Sequence, residues 1–247
     1  MKITFLGTSH GVPAADRFCT CIMFEVSGKV YFIDAGAPLL ENMMIRNLPI
    51  TSFKAFFNTH AHADHIGYLF PSMSLCDWYF KETAVTYVLT EQRVFEALNE
   101  MLSATDGQPL DTSRHNVIIA KEGKVYEDEN IKVSYYPTTH LQWCNRPAYS
   151  ILVEAEGKKV FFSGDLKPHL ETGAFPQYVK DNEVDLFVCE LAHFSLEAVM
   201  PELEKTKTKM LCFNHVYPLN KYEQIAKIHD ALPFPIIAPD DGDVVEI

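Results

Sequence analysis

Between the aromatic run Phe53-Lys54-Ala55-Phe56-Phe57 and Gly67, the chain places His60, His62, Asp64 and His65 within six positions. The run is short, apolar and bounded by polar residues, as a buried strand is, and Ile66-Gly67-Tyr68-Leu69-Phe70 opens an expected helix over 66–80. The cluster therefore falls on a strand-to-helix turn. Residues two apart in an extended segment point the same way, so His60 and His62 can grip one cation. The following bend turns Asp64 and His65 toward a second point nearby. Neutral imidazole with carboxylate suits zinc first, with manganese or iron as alternatives. A polar loop with locally bonded histidines is the blander reading, but it gives no reason for three imidazoles and a carboxylate at this density.

Two cations need further side chains, and the chain supplies them at the ends of apolar runs. An expected strand over 131–136 leads through Pro137-Thr138-Thr139 to His140, and one over 209–214 leads directly to His215. A third, over 159–163, leads through Gly164 to Asp165, a carboxylate placed to bridge two cations rather than to cap a helix. Asp34, followed by Ala35-Gly36, reads as a structural or supporting residue and not as a ligand.

Hairpins are expected at 19–26 with 29–35 around Ser27-Gly28, and at 148–154 with 159–163 around Glu156-Gly157. Helices are expected over 38–48, 91–102, 170–182, 196–205 and 222–231, and an exposed loop over 103–116. Further strands are expected at 3–6, 83–89, 117–120, 124–126, 184–191, 235–238 and 244–247. No Gly/Ser-rich or Pro-rich stretch divides the chain, so 1–247 is expected to form one α/β domain of two similar halves meeting along a seam.

A net charge of −12 without any Lys/Arg-rich run argues against broad electrostatic capture of nucleic acid, although two divalent cations would reverse the local sign at the site. Six cysteines without a C-x-x-C pair read as reduced core residues. The apolar stretch at the N-terminus is too short for a signal peptide and no run reaches membrane-spanning length, so a cytoplasmic location is expected.

With His60-x-His62-x-Asp64-His65 followed by His140, Asp165 and His215, the chain resembles the metallo-β-lactamase superfamily over essentially its whole length. The resemblance implies a four-layer αββα sandwich, two mixed sheets flanked by helices, with a dinuclear site at the edge between them. It assigns His60, His62 and His140 to one metal, Asp64, His65 and His215 to the other, and Asp165 to both. Phe5-Leu6-Gly7-Thr8-Ser9-x-Gly11-x-Pro13 and Ser163-Gly164-Asp165 are similar to motifs of the tRNase Z and phosphodiesterase branch. His193 is similar in placement to that branch's histidine assisting the leaving group, and Asp64 would orient the nucleophile. That branch's histidine shares its task with an acidic Glu, and for Glu190, three residues before His193, two readings stay open: that partner, or a different residue filling a shortened loop.

The interval from His140 to Asp165 leaves no room for the long arm with which tRNase Z enzymes hold tRNA. The implied activity is therefore hydrolysis of a small cyclic or nucleic-acid-derived phosphodiester by hydroxide activated between two divalent metal ions. The implied partner is that small or short substrate, with no membrane and with homodimerisation in keeping with similar proteins. Thioester or lactone hydrolysis of the glyoxalase II type shares the seven ligands and is the nearest rival. A non-catalytic metal-binding module is the other, and the complete ligand set argues against it. Specificity is expected to lie in the loops at 14–18, 103–116 and 141–147.

Overall fold

Apolar side chains fall on both faces of most strands, which makes each strand a middle layer rather than a half-solvated one. In the computed structural model, which describes residues 1–171 and 173–247, the first half runs β1 (Lys2–Gly7), β2 (Cys21–Val26), β3 (Lys29–Ile33), α1 (Leu39–Ile45), β4 (Phe53–Phe57), α2 (Ala63–Ile66), α3 (Leu69–Trp78), β5 (Thr86–Leu89), α4 (Gln92–Asp106) and β6 (Asn116–Ile119). The second runs β7 (Gly123–Glu127), β8 (Ile131–Pro137), β9 (Tyr149–Ala155), β10 (Lys158–Phe162), α5 (Tyr178–Asp181), β11 (Leu186–Leu191), α6 (Leu196–Leu203), β12 (Leu211–Val216), α7 (Lys221–Ala226), β13 (Ile236–Ile237) and β14 (Val244–Glu246).

These strands form two seven-stranded mixed sheets, ordered β14-β1-β2-β3-β4-β5-β6 and β13-β12-β11-β10-β9-β8-β7. Each has an antiparallel side built on a hairpin and a parallel side: β3 to β6 in the first, β10 to β13 in the second. The two halves thus repeat one plan, as the matching hairpins led us to expect, and β14 crosses back to pair with β1.

Three cores confirm the αββα layering. Phe5, Phe24, Tyr31, Phe57, Tyr135 and Phe162 fill the space between the sheets. Leu6, Met23, Phe32, Phe53 and Phe56 point the other way and pack under helices α1, α3 and α4 with Leu40, Met73 and Leu98. On the opposite side Phe161, Phe187 and Phe213 pack with Val179, Val199 and Ile225 of α5, α6 and α7. Successive strand residues such as Phe161 and Phe162 serve different cores because side chains alternate across a strand. No described helix is long and apolar enough to cross a membrane.

Three expectations about elements need correction. The helix expected over 66–80 starts earlier, at Ala63, and is broken after Ile66, so Asp64 and His65 lie inside a single helical turn. Helix α4 runs on to Asp106, four residues into the expected loop, because nothing breaks it before Gly107, whose φ of +81° ends it. The helix expected over 170–182 is, in the described residues, a 3-10 turn at Pro168–Leu170 and the single turn α5. Gly173 at φ +83° interrupts the apolar spacing there, and Thr172 lies outside the described residues.

Phe24 stands at the centre of the inter-sheet core, stacked against Tyr31, Phe57 and Phe162 with ring centroids 5.7, 6.4 and 6.3 Å away. Phe24→Ala should cost about 3–5 kcal/mol of unfolding free energy in a urea titration. Ile45→Ala, on a side chain 74% exposed, should stay within about 0.5 kcal/mol of the parent. Equal effects would contradict the layer assignment.

Candidate metal centre

The imidazoles expected to act together do converge, delivered by strand ends from both sheets. His60 and His62 follow β4, with Asp64 and His65 on α2. His140 follows β8, Asp165 follows β10, and His215 sits near the end of β12 at φ +55°, where the pairing of β11 with β12 shifts register. His60, His65, His140, Asp165 and His215 are buried, while His62 and Asp64 form the half-buried rim.

Asp165 organises the group. Its Oδ2 stands 3.6 Å from His60 Nε2 and 3.6 Å from His140 Nε2, and its Oδ1 stands 3.5 Å from His65 Nε2 and 3.4 Å from His215 Nε2. One oxygen faces each set. His62 Nδ1 lies 3.0 Å from His60 Nε2, and Asp64 Oδ2 lies 3.6 Å from His65 Nε2 and 3.9 Å from His215 Nε2. The ligand-capable atoms of His60, His62, His140 and Asp165 fall within 4.8 Å of one another, as do those of Asp64, His65 and His215.

These residues fit a pair of cations. Among the described residues His65 Nε2, His140 Nε2 and both ring nitrogens of His215 are buried without a hydrogen-bond partner. Leaving each so costs about 1–3 kcal/mol, which a shared cation would remove. The nitrogen–oxygen separations of 3.4–3.6 Å are too long for good hydrogen bonds. They match the roughly 3.4 Å between two ligands that each lie about 2.0–2.1 Å from a tetrahedral zinc.

Supporting bonds fix the rings. Asp34, at φ +58°, accepts from the Thr59 N–H at 2.8 Å, the Thr59 hydroxyl at 2.7 Å and His65 Nδ1 at 2.7 Å. It is thus a supporting residue, as expected. His140 Nδ1 donates to the Leu166 carbonyl at 3.1 Å, which leaves its Nε2 facing Asp165.

The electrostatics of the metal-free chain already call for positive charge. Burial, with the neighbouring His65, His140 and His62, holds His60 well below the ordinary histidine range. Burial opposes charge on His65 too, but Asp165 and Asp34 outweigh it and raise that pKa well above the usual value. Burial of the Asp165 carboxyl is likewise overcome by His215, His65 and His60, which hold it well below the usual carboxylate range.

Three further residues, Glu190, His193 and His10, stand beside these side chains. Of the two readings of Glu190, the structure favours the partner: it is buried near the end of β11, and its carboxylate accepts from His193 Nδ1 at 2.9 Å and from the N–H groups of Ala192 and His193. His193 Nε2 then faces Asp165 Oδ2 at 3.8 Å. Burial disfavours charge on His193, yet Glu190, with Asp165, raises its pKa to about 9. His10 passed as one member of a turn-rich loop, but its ring packs 5.1 Å from His215 and 5.7 Å from His193 and stacks on Tyr217 at 5.0 Å. The one local signal was an imidazole among the small residues of Gly7-Thr8-Ser9-His10-Gly11.

Comparison with known proteins agrees with this fold. The family profile described as anti-Pycsar protein Apyc1 matches residues 1–230. A curated ribonuclease Z from Methanocaldococcus jannaschii is 25% identical over 141 residues, 57% of this chain and 44% of the relative. The chain spans about half the length of that relative and of the next curated one. The metallo-β-lactamase fold protein YhfI from Bacillus subtilis superposes with a TM-score of 0.77 at 13% identity, covering 100% of this chain and 99% of that one. The short form of human tRNase Z gives 0.73 at 16% identity, covering 100% and 99%. At such identities these two structures establish the fold.

The Glu190–His193 pair yields a test on the metal-stripped protein. Glu190→Gln should bring the His193 midpoint, followed by NMR, from about 9 down toward 6.5. A raised folded-state pKa stabilises most below the unfolded value of about 6.5 and loses that contribution as pH rises through 9. The same variant should therefore lose stability mainly at and below neutral pH. An unmoved His193 midpoint would refute the coupling.

Proposed function

This chain belongs to the anti-Pycsar Apyc1 family, within the metallo-β-lactamase superfamily, and we propose that it hydrolyses a small cyclic or nucleic-acid-derived phosphodiester with the help of two divalent cations. The family's name supplies the setting, an action against Pycsar. The observation that carries the chemical reading is the division of the two Asp165 oxygens between two histidine sets.

His60, His62 and His140 would hold one cation and Asp64, His65 and His215 the other, with Asp165 shared. Zinc is the first choice for this donor set, and manganese or iron would also fit. Bound there, the cations supply Lewis acidity and lower the pKa of water toward neutrality. The chain's own residues do the rest. Asp64, on the half-buried rim, is placed to accept a proton from the attacking water and so to orient it. A Cβ on Gly11 would come within 2.9 Å of the Asp64 carboxylate, so the glycine in that loop is what lets Asp64 face the opening.

His193 suits the leaving oxygen. Its Nδ1–H is committed to Glu190, so Nε2 is the atom turned to the site, and the Glu190 carboxylate beneath the ring favours its protonated form. Transfer from such a group contributes about 10²–10⁴ in rate. The stretch between His140 and Asp165 is taken up by a 3-10 turn and the β9–β10 hairpin, so no described residues form an arm for a folded RNA. A small substrate follows.

Stripped protein, and protein reloaded with zinc or manganese, should be assayed against a nucleoside cyclic phosphate, bis(p-nitrophenyl) phosphate and an S-acyl thioester. Both phosphodiesters should turn over only with metal, and Asp165→Ala should abolish this. His193→Ala should slow the cyclic phosphate more than the nitrophenyl ester, whose leaving group needs little protonation. Turnover of the thioester alone would replace this reading with acyl hydrolysis.

A further inference from the structure

A cleft of about 410 Å³ opens beside the metal centre and shares His140 with it. That is the size of a small-molecule site, about 300–1,000 Å³. Two segments with no part in the proposed chemistry supply its other walls: Gln142 and Trp143 from the turn Gln142–Cys144, and Lys167 and His169 from the stretch through Pro168–Leu170. Trp143 is 82% exposed, more than any other large apolar side chain among the described residues. An indole left in water at the mouth of a polar site is an unused stacking surface.

The platform is held firmly. Leu141's carbonyl accepts from the N–H groups of Cys144 and Arg146 at 3.1 and 3.2 Å, and the Arg146 guanidinium bonds the Glu91 carboxylate at 2.7–2.8 Å. The facing wall is tied to the catalytic groups: Leu166 donates its N–H to Glu190 at 2.6 Å, and His169 donates its N–H to the His193 carbonyl at 3.1 Å. The walls of this cleft are therefore tied through backbone groups to the residues beside Asp165 and His193.

We propose that the cleft seats the nucleobase of the substrate, stacked on Trp143, while the phosphodiester lies at the metal centre. The assignment rests on the phosphodiester reading and concerns which residues of this chain meet the base. A base has a flat π-face for the indole and an edge of mixed donors and acceptors. Gln142 offers both kinds of partner, His169 adds a donor on the facing wall, and Lys167 stands there ion-paired at 2.6 Å with Glu171, whose carboxylate adds an acceptor.

Trp78 and Trp143 are the chain's two tryptophans, so Trp78→Phe leaves Trp143 as the sole indole reporter. In that background a nucleoside 5′-monophosphate should quench the fluorescence saturably, and ribose 5-phosphate, which lacks the base, should not. Equal responses, or none to the nucleotide, overturn the assignment. With the metal-loaded full chain, Trp143→Ala should raise KM for a nucleoside cyclic phosphate about 5- to 150-fold while leaving kcat largely intact, and Trp143→Phe should recover most of the loss. A collapse of kcat on bis(p-nitrophenyl) phosphate as well, or a halved solution mass for Trp143→Ala, would make the indole structural or a contact between copies, and would overturn it. Base-dependent quenching in a protein that cleaves no phosphodiester would support the cleft and reject the hydrolase reading instead.

Discussion

Everything around the site depends on one buried carboxylate. Asp165 is 3% exposed and surrounded by imidazoles, in surroundings where an unpaired charge costs several kcal/mol. It is kept ionised only because His215, His65 and His60 surround it, so the pocket must hold positive charge in some form. Against the cost of burial, Asp165 and Asp34 favour charge on His65. Two cations would supply positive charge more fully and would also satisfy the imidazole nitrogens that have no partner.

That requirement explains why the seam between the sheets is the only workable place for the group. The positions of β4, β8, β10 and β12 that face the cores are mostly apolar, so the ligands gather at or just beyond the ends of these strands. The first sheet brings His60, His62, Asp64 and His65, and the second brings His140, Asp165 and His215, so neither half can hold two cations alone. Asp34 extends the dependence to β3, because it fixes Thr59 and His65 from the neighbouring strand end.

Much of this was legible in the sequence for a physical reason: a strand buried on both faces reads as an unbroken apolar run, and the polar residues that stop it are conspicuous. His60, His140, Asp165 and His215 were found that way, and so were both hairpins. What escaped depends on contacts between distant residues. The spacing of Leu170, Ala174, Tyr178 and Val179 has a helical period, yet Tyr178 stacks instead on Phe161 with centroids 5.3 Å apart. Glu190 stayed undecided in the sequence because nothing local shows that its carboxylate turns back beneath His193. His10 sits among turn residues, and only the fold brings it against Tyr217.

The loop carrying His10 and Gly11 shows how far the site reaches along the chain. Asp241 accepts from the Thr8 N–H at 2.9 Å, the Thr8 hydroxyl at 2.8 Å and the Phe18 N–H at 2.6 Å, closing both ends of that loop. Arg17 adds bonds to the Thr8 hydroxyl, the Pro239 carbonyl and the Asp240 carboxylate. Asp240 and Asp241 lie past the last ligand, His215, and past residue 230, where the family match ends. The segment that follows them, β14, pairs with β1, the strand from which the loop departs. The last strand therefore does more than close a sheet. It holds the clamp in register with the loop, the loop places Gly11 against Asp64, and Asp64 faces His65 and His215, so the geometry at the metal centre is set by both termini at once.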